Sequence, residues 1–197
     1  DEETLPDIND FSIAVLQNNN VQLTWNRYAD FTDGTEIAAG NYTLKATYGN
    51  IETQGFEAPY YEGAKEFSIK KNESTNISVI CYLANVKVTT EYTELFKKYF
   101  TDYTVNIRPA GSTDISFDKN ETRAAYVKPG KISIYLSGSK QQGNKVTFEA
   151  ATIENAKARQ HYRLKFDVQA GGTELDVSFT DETERVPITI DISDDAL

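Results

Sequence analysis

The sequence predicts an all-β protein built from two tandem antiparallel β-sandwich domains, with one short helix. Three observations predict this fold class. Apolar side chains recur at every second position along most of the 197 residues, turn residues separate these runs, and a single segment has helical spacing instead. Successive side chains of a strand point to opposite faces, so this alternation buries one face. Short alternating runs separated by turns are typical of antiparallel sandwiches rather than of parallel sheets with crossover helices.

Alternating runs occur along the whole chain. Tyr42, Leu44 and Ala46 form one apolar face in the first half of the sequence. Further runs with the same period span 11–15, 21–25, 67–69, 77–83, 86–88, 103–107, 132–136, 146–148, 164–168, 175–179 and 186–192. Three consecutive asparagines at 18–20 separate two of these runs and predict a hairpin loop.

One segment departs from this period and predicts a short helix over 90–100. Its large side chains are spaced at i, i+3, i+4 and i+7, which is one face of a helix. These residues are Tyr92, Leu95, Phe96 and Tyr99. Thr90 is placed to cap the first turn, since a threonine hydroxyl accepts from a free backbone N–H there.

The domain boundary is predicted near 83–85. We expect an N-terminal domain over 1–83 and a C-terminal domain over 84–197. The run over 75–83 passes almost directly into the run over 86–90, without a Gly/Ser-rich or Pro-rich linker. A boundary of this kind predicts two closely coupled domains rather than two loosely tethered ones.

Composition excludes several functions. The chain carries 20 Lys and Arg against 30 Asp and Glu, a net charge of −10, which argues against binding a nucleic-acid backbone. It contains one Cys and one His, so a Cys/His zinc cluster and an intrachain disulfide are both excluded. No apolar run approaches the about 18 residues of a membrane-spanning helix. We therefore expect no metal, no cofactor, no nucleic-acid partner and no transmembrane helix.

The residue pair best suited to catalysis is Cys81 with His161, as nucleophile and base. Cys81 lies on the apolar face of its strand, however, and no local signature such as G-x-S-x-G accompanies either residue. A buried, unreactive thiol and a surface imidazole are the favoured interpretation. Carboxylate pairs suited to glycoside hydrolysis cannot be assigned from so many acidic residues, and the sequence predicts a protein that is not an enzyme.

Two further stretches are candidates for ligand binding. Asp30, Asp33 and Glu36 surround a glycine and offer oxygen ligands of the kind calcium prefers, but their spacing differs from an EF-hand loop. A plain Asp-Gly turn is favoured there, and calcium binding stays open. Tyr60 and Tyr61 could contact a sugar through their rings, although packing within the core or a loop is favoured.

Three stretches together resemble a known family. They are AGNYTLKA at 39–46, PYYEG at 59–63 and VICYLANVKV at 79–88. In this order they resemble a domain-of-unknown-function family of surface lipoproteins from gut commensal bacteria, which is similar to fimbrillin-like pilus and adhesin proteins. The first stretch also resembles the transthyretin-like sandwich module, so the resemblance implies transthyretin-like or immunoglobulin-like sandwiches.

The resemblance implies a non-enzymatic cell-surface lipoprotein, a fimbrillin-like adhesin or stalk subunit. It implies a lipid anchor upstream of Asp1 and a location on the extracellular face of the bacterial outer membrane, or facing the periplasm. Its partners would be other surface or pilus subunits, or host or dietary glycans. The alternative is a carbohydrate-binding accessory module of a larger glycan-utilisation protein.

Likeness to fimbrillins also implies assembly by strand addition, in which an extended segment completes the sheet of another subunit. Val186, Ile188 and Ile190 lie on the run that could serve as such an exchange edge. Fimbrillins are often cleaved after an arginine that precedes the first groove strand. The first arginine of this chain is Arg27, which follows Trp25 within a predicted strand, so the sequence departs from that pattern.

Overall fold

The computed structural model describes residues 5–141, 143–168, 175–178, 181–183 and 188–194. Within these residues, one α-helix (α1, Glu94–Tyr99) and two 3-10 helices (Ile8–Asp10 and Tyr28–Asp30) accompany sixteen strands. The strands are β1 (Ser12–Gln17), β2 (Asn20–Trp25), β3 (Gly40–Tyr48), β4 (Gly55–Phe56), β5 (Tyr61–Ile69), β6 (Thr75–Leu83), β7 (Val86–Tyr92), β8 (Phe100–Pro109), β9 (Ile115–Asp118), β10 (Ala125–Val127), β11 (Gly130–Lys140), β12 (Lys145–Ala156), β13 (Gln160–Val168), β14 (Leu175–Ser178), β15 (Asp181–Thr183) and β16 (Ile188–Asp194). The predicted all-β class is confirmed.

The chain forms two compact units, and each is discontinuous in sequence. The first unit contains the described residues within Asp1–Asn50, Tyr60–Leu83 and Arg185–Leu197, and the second contains those within Ile51–Pro59 and Ala84–Glu184. The units therefore differ from a simple division into 1–83 and 84–197 in two segments. The segment 51–59 lies in the second unit because β4 pairs with β10, and β16 lies in the first because it pairs with β6.

The first unit is one antiparallel sheet in the order β16-β6-β5-β3-β1-β2. β3 and β5 pair along nine residues, whereas β5 and β6 pair only from Tyr61 opposite Leu83 to Glu62 opposite Tyr82. Beyond this corner β6 crosses the buried face of β3, where the Sγ atom of Cys81 lies 3.8 Å from the carbonyl oxygen of Ala46. The sheet thus folds over its own apolar face into two layers.

The core of the first unit follows the predicted alternation. Alternate residues are buried along β1, β3 and β6 except at strand ends, and each buried Val, Leu or Ile side chain contributes about 1.5–3 kcal/mol relative to exposure. The buried apolar residues of this unit are Phe11, Ile13, Val15, Tyr42, Leu44, Ala46, Tyr61, Ile69, Ile77, Val79, Cys81 and Leu83. The predicted hairpin loop is confirmed: Asn18 (φ 51°) and Asn19 (φ 63°) join β1 to β2 in the left-handed conformation that two-residue hairpin turns require.

The second unit packs two sheets around one core. One sheet has the order β14-β13-β7-β10-β4, with β15 also paired to β13, and the other has the order β12-β11-β8-β9. The largest fully buried side chains between them include Phe96, Phe117 and Phe166. One pair of strands, β7 with β13, is parallel, a feature that apolar alternation does not distinguish from antiparallel pairing.

The predicted helix is confirmed, but its first turn lies further along the chain than expected. Thr93, rather than Thr90, caps α1: its Oγ1 atom accepts from the backbone N–H of Phe96 at 3.2 Å. β7 continues through Tyr92 because this residue pairs with Phe166 of β13. Phe96 is fully buried, whereas Leu95 is 54% exposed, so the buried face is narrower than the spacing predicted.

Candidate functional site

Cys81 and His161, the pair considered for catalysis, both lie at buried positions. Burial, together with the nearby Glu62 carboxylate, raises the pKa of the Cys81 thiol to about 11. A thiol with so high a pKa is a poor nucleophile, because the thiolate is the reactive form. The expectation of a surface imidazole is wrong, because His161 is only 8% exposed in the second unit. Its Nε2 atom lies 2.9 Å from Oγ1 of Thr89, and this contact spans the parallel pair β7 and β13.

The two adjacent tyrosines have different environments: Tyr61 is in the core, and Tyr60 makes a side-chain hydrogen bond. Tyr61 is only 2% exposed, and its ring packs 6.4 Å from that of Phe11, so it offers no face to a sugar. Tyr60 is half-buried and its hydroxyl donates to Oε2 of Glu62 at 2.9 Å. Burial and this carboxylate raise the pKa of Tyr60 to about 12. The structure therefore gives Tyr61 a packing role.

The acidic stretch around Gly34 forms a turn. Asp30 ends a 3-10 helix. Gly34 adopts a φ of 81°, and a Cβ atom added there would meet no other atom within 4 Å. Among the described residues, no group of three or more His, Cys, Asp or Glu side chains is placed to hold a metal ion. The positive φ of Gly34 is the conformation that an Asp-Gly turn requires, and this requirement explains the glycine at this position.

The candidate exchange edge lies partly in the described residues. Ile188 and Ile190 are on β16, opposite Cys81 and Val79 of β6, while Val186 lies outside the described residues. In the strand order of the first sheet, β16 stands at one edge and β2 at the other. Exchange of strands at the β16 edge stays a prediction.

A polar groove on the first unit was not predicted from the sequence. It has a volume of about 470 Å³ and lies where the β1–β2 turn meets the neighbouring ends of β3 and β5. Its lining is mainly amide, hydroxyl and carboxylate: Leu16, Asn18, Asn19, Asn41, Tyr42, Thr43, Glu66, Phe67 and Ser68. We call this feature the asparagine groove.

The floor of the asparagine groove is the outer face of the sheet. Tyr42 is buried, so its neighbours Asn41 and Thr43 point to the opposite, outer side. Asn41 stands opposite Ser68 and Thr43 opposite Glu66 in the β3–β5 pair. The hydroxyl of Ser68 donates to Oδ1 of Asn41 at 2.6 Å, which fixes the amide in place.

Aromatic packing on the inner face holds the two strands beneath the groove. The rings of Tyr42 and Phe67 stack with centroids 5.7 Å apart, and the Tyr42 hydroxyl donates to the carbonyl oxygen of Ala38 at 2.8 Å. The groove draws its residues from three strands and one turn, so no contiguous motif marks it. The run of asparagines at 18–20 was its only signal in the sequence.

The sequence places the chain in a family. It belongs to the family described as Domain of unknown function (DUF4493), whose model matches residues 1–194. The resemblance to a family of this kind is thereby confirmed. A search of the curated proteins found no match.

Solved structures of three Bacteroides proteins are similar to this chain. A proposed cell adhesion protein from Bacteroides uniformis has a TM-score of 0.57 and 11% identity, covering 88% of this chain and 91% of that chain. A proposed adhesin from Bacteroides ovatus has a TM-score of 0.42 and 12% identity, covering 88% and 86%. A proposed cell adhesion protein from Bacteroides fragilis has a TM-score of 0.38 and 11% identity, covering 91% and 86%.

The similarity to the Bacteroides uniformis protein shows a shared fold at low sequence identity. Within the described ranges, none of the helices combines the length and the apolar character needed to cross a bilayer.

Proposed function

We propose that this chain is an adhesion module displayed at the bacterial cell surface, and that it acts by binding rather than by catalysis. One observation carries the proposal: the fold extends over 88% of this chain and 91% of a proposed cell adhesion protein, with a TM-score of 0.57. Agreement over nearly the whole of both chains means that the two proteins share an architecture rather than one common motif.

The distribution of chemistry in the described residues supports a binding role. The thiol of Cys81 is buried with a raised pKa, and the imidazole of His161 is engaged with Thr89. These two groups are therefore committed to packing or to hydrogen bonds within their own units. The polar groups that face solvent lie instead on sheet faces and turns, where a partner can reach them.

We further propose that the chain is lipid-anchored on the extracellular face of the outer membrane. This location suits an adhesion module, since its partner lies outside the cell. Treating intact cells with proteinase K, and detecting the chain by immunoblot, tests the location. Loss of the chain from intact cells is expected; its survival until the outer membrane is opened would place it on the periplasmic side.

An adhesion assay tests the function itself. Beads coated with the purified chain are applied to mucin-coated and epithelial-cell surfaces, beside beads coated with albumin or with the heat-unfolded chain. We expect retention of the beads that carry the folded chain on at least one surface, well above both controls. Retention equal to albumin on every surface, or hydrolysis of a surface polymer by the chain, would contradict the proposal.

A further inference from the structure

We propose that the asparagine groove binds a neutral carbohydrate chain. The inference rests on the proposed adhesive function, for which it names a ligand class and a site. It is carried by the identity, the orientation and the charge of the side chains that line the groove. None of them was singled out by the sequence for sugar binding.

The hydrogen-bonding groups of the groove match those of a sugar. A sugar hydroxyl both donates and accepts, and a side-chain amide offers two donors and one carbonyl acceptor at adjacent positions. Asn18, Asn19 and Asn41 are all exposed and together supply three such amides. Ser68 and Thr43 add hydroxyls, and Glu66 adds a carboxylate that accepts from sugar hydroxyls.

Charge selects a neutral ligand over an anionic one. Glu66 is the only charged side chain among the lining residues, and none of them is cationic. Phosphate and sulfate groups are recognised by arginine, lysine or clusters of backbone N–H groups. A sulfated or sialylated glycan would instead approach Glu66 within a chain whose net charge is −10.

The polarity of the lining disfavours an apolar ligand. Tyr42 is buried and Leu16 and Phe67 are half-buried, so the exposed surface of the groove is formed mainly by amides, hydroxyls and one carboxylate. An acyl chain or an apolar peptide would desolvate these groups without pairing them, which costs free energy at each one. A sugar replaces the lost water with hydrogen bonds of its own.

The groove is also held in shape before a ligand arrives. Asn18 and Asn19 sit in a tight two-residue turn, and Asn41 is fixed by the hydroxyl of Ser68. Fixing the backbone of the turn and the side chain of Asn41 in advance reduces the entropy lost on binding. A volume of about 470 Å³ lies within the range of about 300–1,000 Å³ found for small-ligand sites, which suits a short oligosaccharide.

NMR titration of the full chain tests the proposal. The probes are maltohexaose, xylohexaose and mannohexaose as neutral ligands, and sialyllactose and chondroitin sulfate oligosaccharides as anionic ones. We expect at least one neutral probe to shift the side-chain amide signals of Asn18, Asn19 and Asn41, and the anionic probes to leave them unchanged. Shifts caused only by the anionic probes, or shifts confined to residues outside the groove, would overturn the proposal.

Two variants of different design remove the groove chemistry. Asn41→Ala combined with Ser68→Ala deletes a hydrogen-bonded pair from the floor. Asn18→Gly combined with Asn19→Gly deletes two amides, and glycine keeps the left-handed conformation of the turn. We expect each variant to weaken binding of the active probe by about tenfold, the loss that follows when hydrogen bonds worth about 1.4 kcal/mol are removed.

The chain provides a matched control for the floor variant. Ser116 donates to Oδ1 of Asn106 at 2.6 Å across β8 and β9, which is the same pair of residue types at the same distance on the second unit. Asn106→Ala combined with Ser116→Ala should leave binding unchanged. An equal loss of binding in this control and in the floor variant would overturn the proposal, because the effect would then not belong to the groove.

The same variants separate this proposal from the proposed function. If bead adhesion persists in both groove variants and the groove amides respond to no neutral probe, then the chain is an adhesin that binds elsewhere, and the groove proposal is wrong. If the unaltered chain shows no adhesion but its groove amides respond to a neutral probe, then the groove proposal stands and the adhesive function does not. Absence of any response of the groove amides to the neutral probes would overturn the groove proposal itself.

Discussion

A single glycine of the first unit, Gly63, allows the backbones of β5 and β6 to approach each other closely. A Cβ atom added to Gly63 of β5 would lie 2.2 Å from the carbonyl oxygen of Ile80 on β6. Real Cβ atoms do not approach backbone oxygens so closely, so any other residue must push the two strands apart. The corner at which β6 turns over the sheet therefore depends on the absence of a side chain at this position.

Gly63→Ala should lower the free energy of unfolding by about 3 kcal/mol, the upper end of the cost of overpacking. Urea unfolding followed by the fluorescence of Trp25 measures it, because this single tryptophan lies in the first unit. Ala64→Val serves as the control, since Ala64 is exposed and a surface change there should stay within about 0.5 kcal/mol. Equal effects of the two changes would show that the close approach does not matter.

The buried thiol of Cys81 should make stability depend on pH in the alkaline range. Its pKa is about 11 in the folded chain against an ordinary value of 9.0, so the unfolded state releases the proton first. The stability present below pH 9 is therefore lost as the pH rises towards 11, by up to about 1.4 kcal/mol per pH unit.

Urea unfolding at intervals between pH 8 and pH 9.5 measures this slope, in a range where tyrosines with the ordinary pKa of 10.0 are still mostly protonated. Cys81→Ala should remove it, whatever that change does to stability at pH 8. A slope that persists unchanged in this variant would assign the effect to another group. The raised pKa also predicts that native Cys81 resists alkylation at pH 8 until the chain is unfolded.

The bounds of a helix or strand depend on the strands that it pairs with as well as on its own sequence. The helix α1 begins at Glu94 rather than near Thr90 because β7 is extended through Tyr92 by pairing with β13. The spacing of the large side chains predicted that a helix exists in this segment. Its first residue depended on strand pairing about 70 residues away, which no local pattern contains.

Thr93→Ala should lower the free energy of unfolding by about 1 kcal/mol through loss of the helix cap. The Oγ1 atom of Thr93 both accepts from the N–H of Phe96 and donates to the Asp167 carboxylate at 2.5 Å. Thr93→Ser keeps the hydroxyl and should retain most of the stability. Chemical denaturation compares the two variants, and an equal loss in both would assign the effect to the methyl group instead.

The short strand β4 should stabilise the second unit out of proportion to its length. Phe56 packs edge-on against Phe117 with ring centroids 5.0 Å apart, and the guanidinium of Arg123 lies 4.9 Å from the Phe56 ring centroid. Nearby, Gln54 donates to the Ser112 hydroxyl and accepts from the backbone N–H of Lys128. These contacts fasten the segment 51–59 to β10 and its surroundings.

Phe56→Ala should lower the free energy of unfolding by about 2 kcal/mol. This loss is smaller than that expected for a fully buried phenylalanine, because the Phe56 ring is half-buried. Phe148→Ala is the matched control in the same unit, since Phe148 is 37% exposed on β12 and should cost about 0.5 kcal/mol. Far-ultraviolet circular dichroism during urea unfolding follows both. A smaller loss for Phe56→Ala than for Phe148→Ala would contradict a structural role for β4.

At the scale of the whole molecule, each compact unit is built from segments that are far apart in the sequence. Alternation at Tyr42, Leu44 and Val79 predicted strands and buried faces well, because the period of a strand is a local property. It could not predict that the segment 51–59 belongs to the second unit and β16 to the first, since membership depends on which strand each segment pairs with. The asparagine groove escaped prediction for the same reason, because its residues meet only through pairing.

Hydrogen exchange should follow the spatial units rather than the sequence. The backbone N–H of Glu57 donates to Ala124 at 3.2 Å, so its opening free energy should match that of neighbouring residues in β10. In Gly63→Ala, protection should fall for β6 and β16 while that of Glu57 is retained. Native-state exchange measured by NMR decides this, and a Glu57 amide that loses protection together with β3 would contradict the division.

The return of β16 to β6 has a consequence for biosynthesis. A ribosome makes β6 more than a hundred residues before the strand that covers its open edge. During that interval every strand of the second unit has been made, while the nascent first sheet still presents an unpaired row of amides and carbonyls. Synthesis from the N-terminus thus imposes an order on folding: the unit whose first strands are made earliest is the unit completed last.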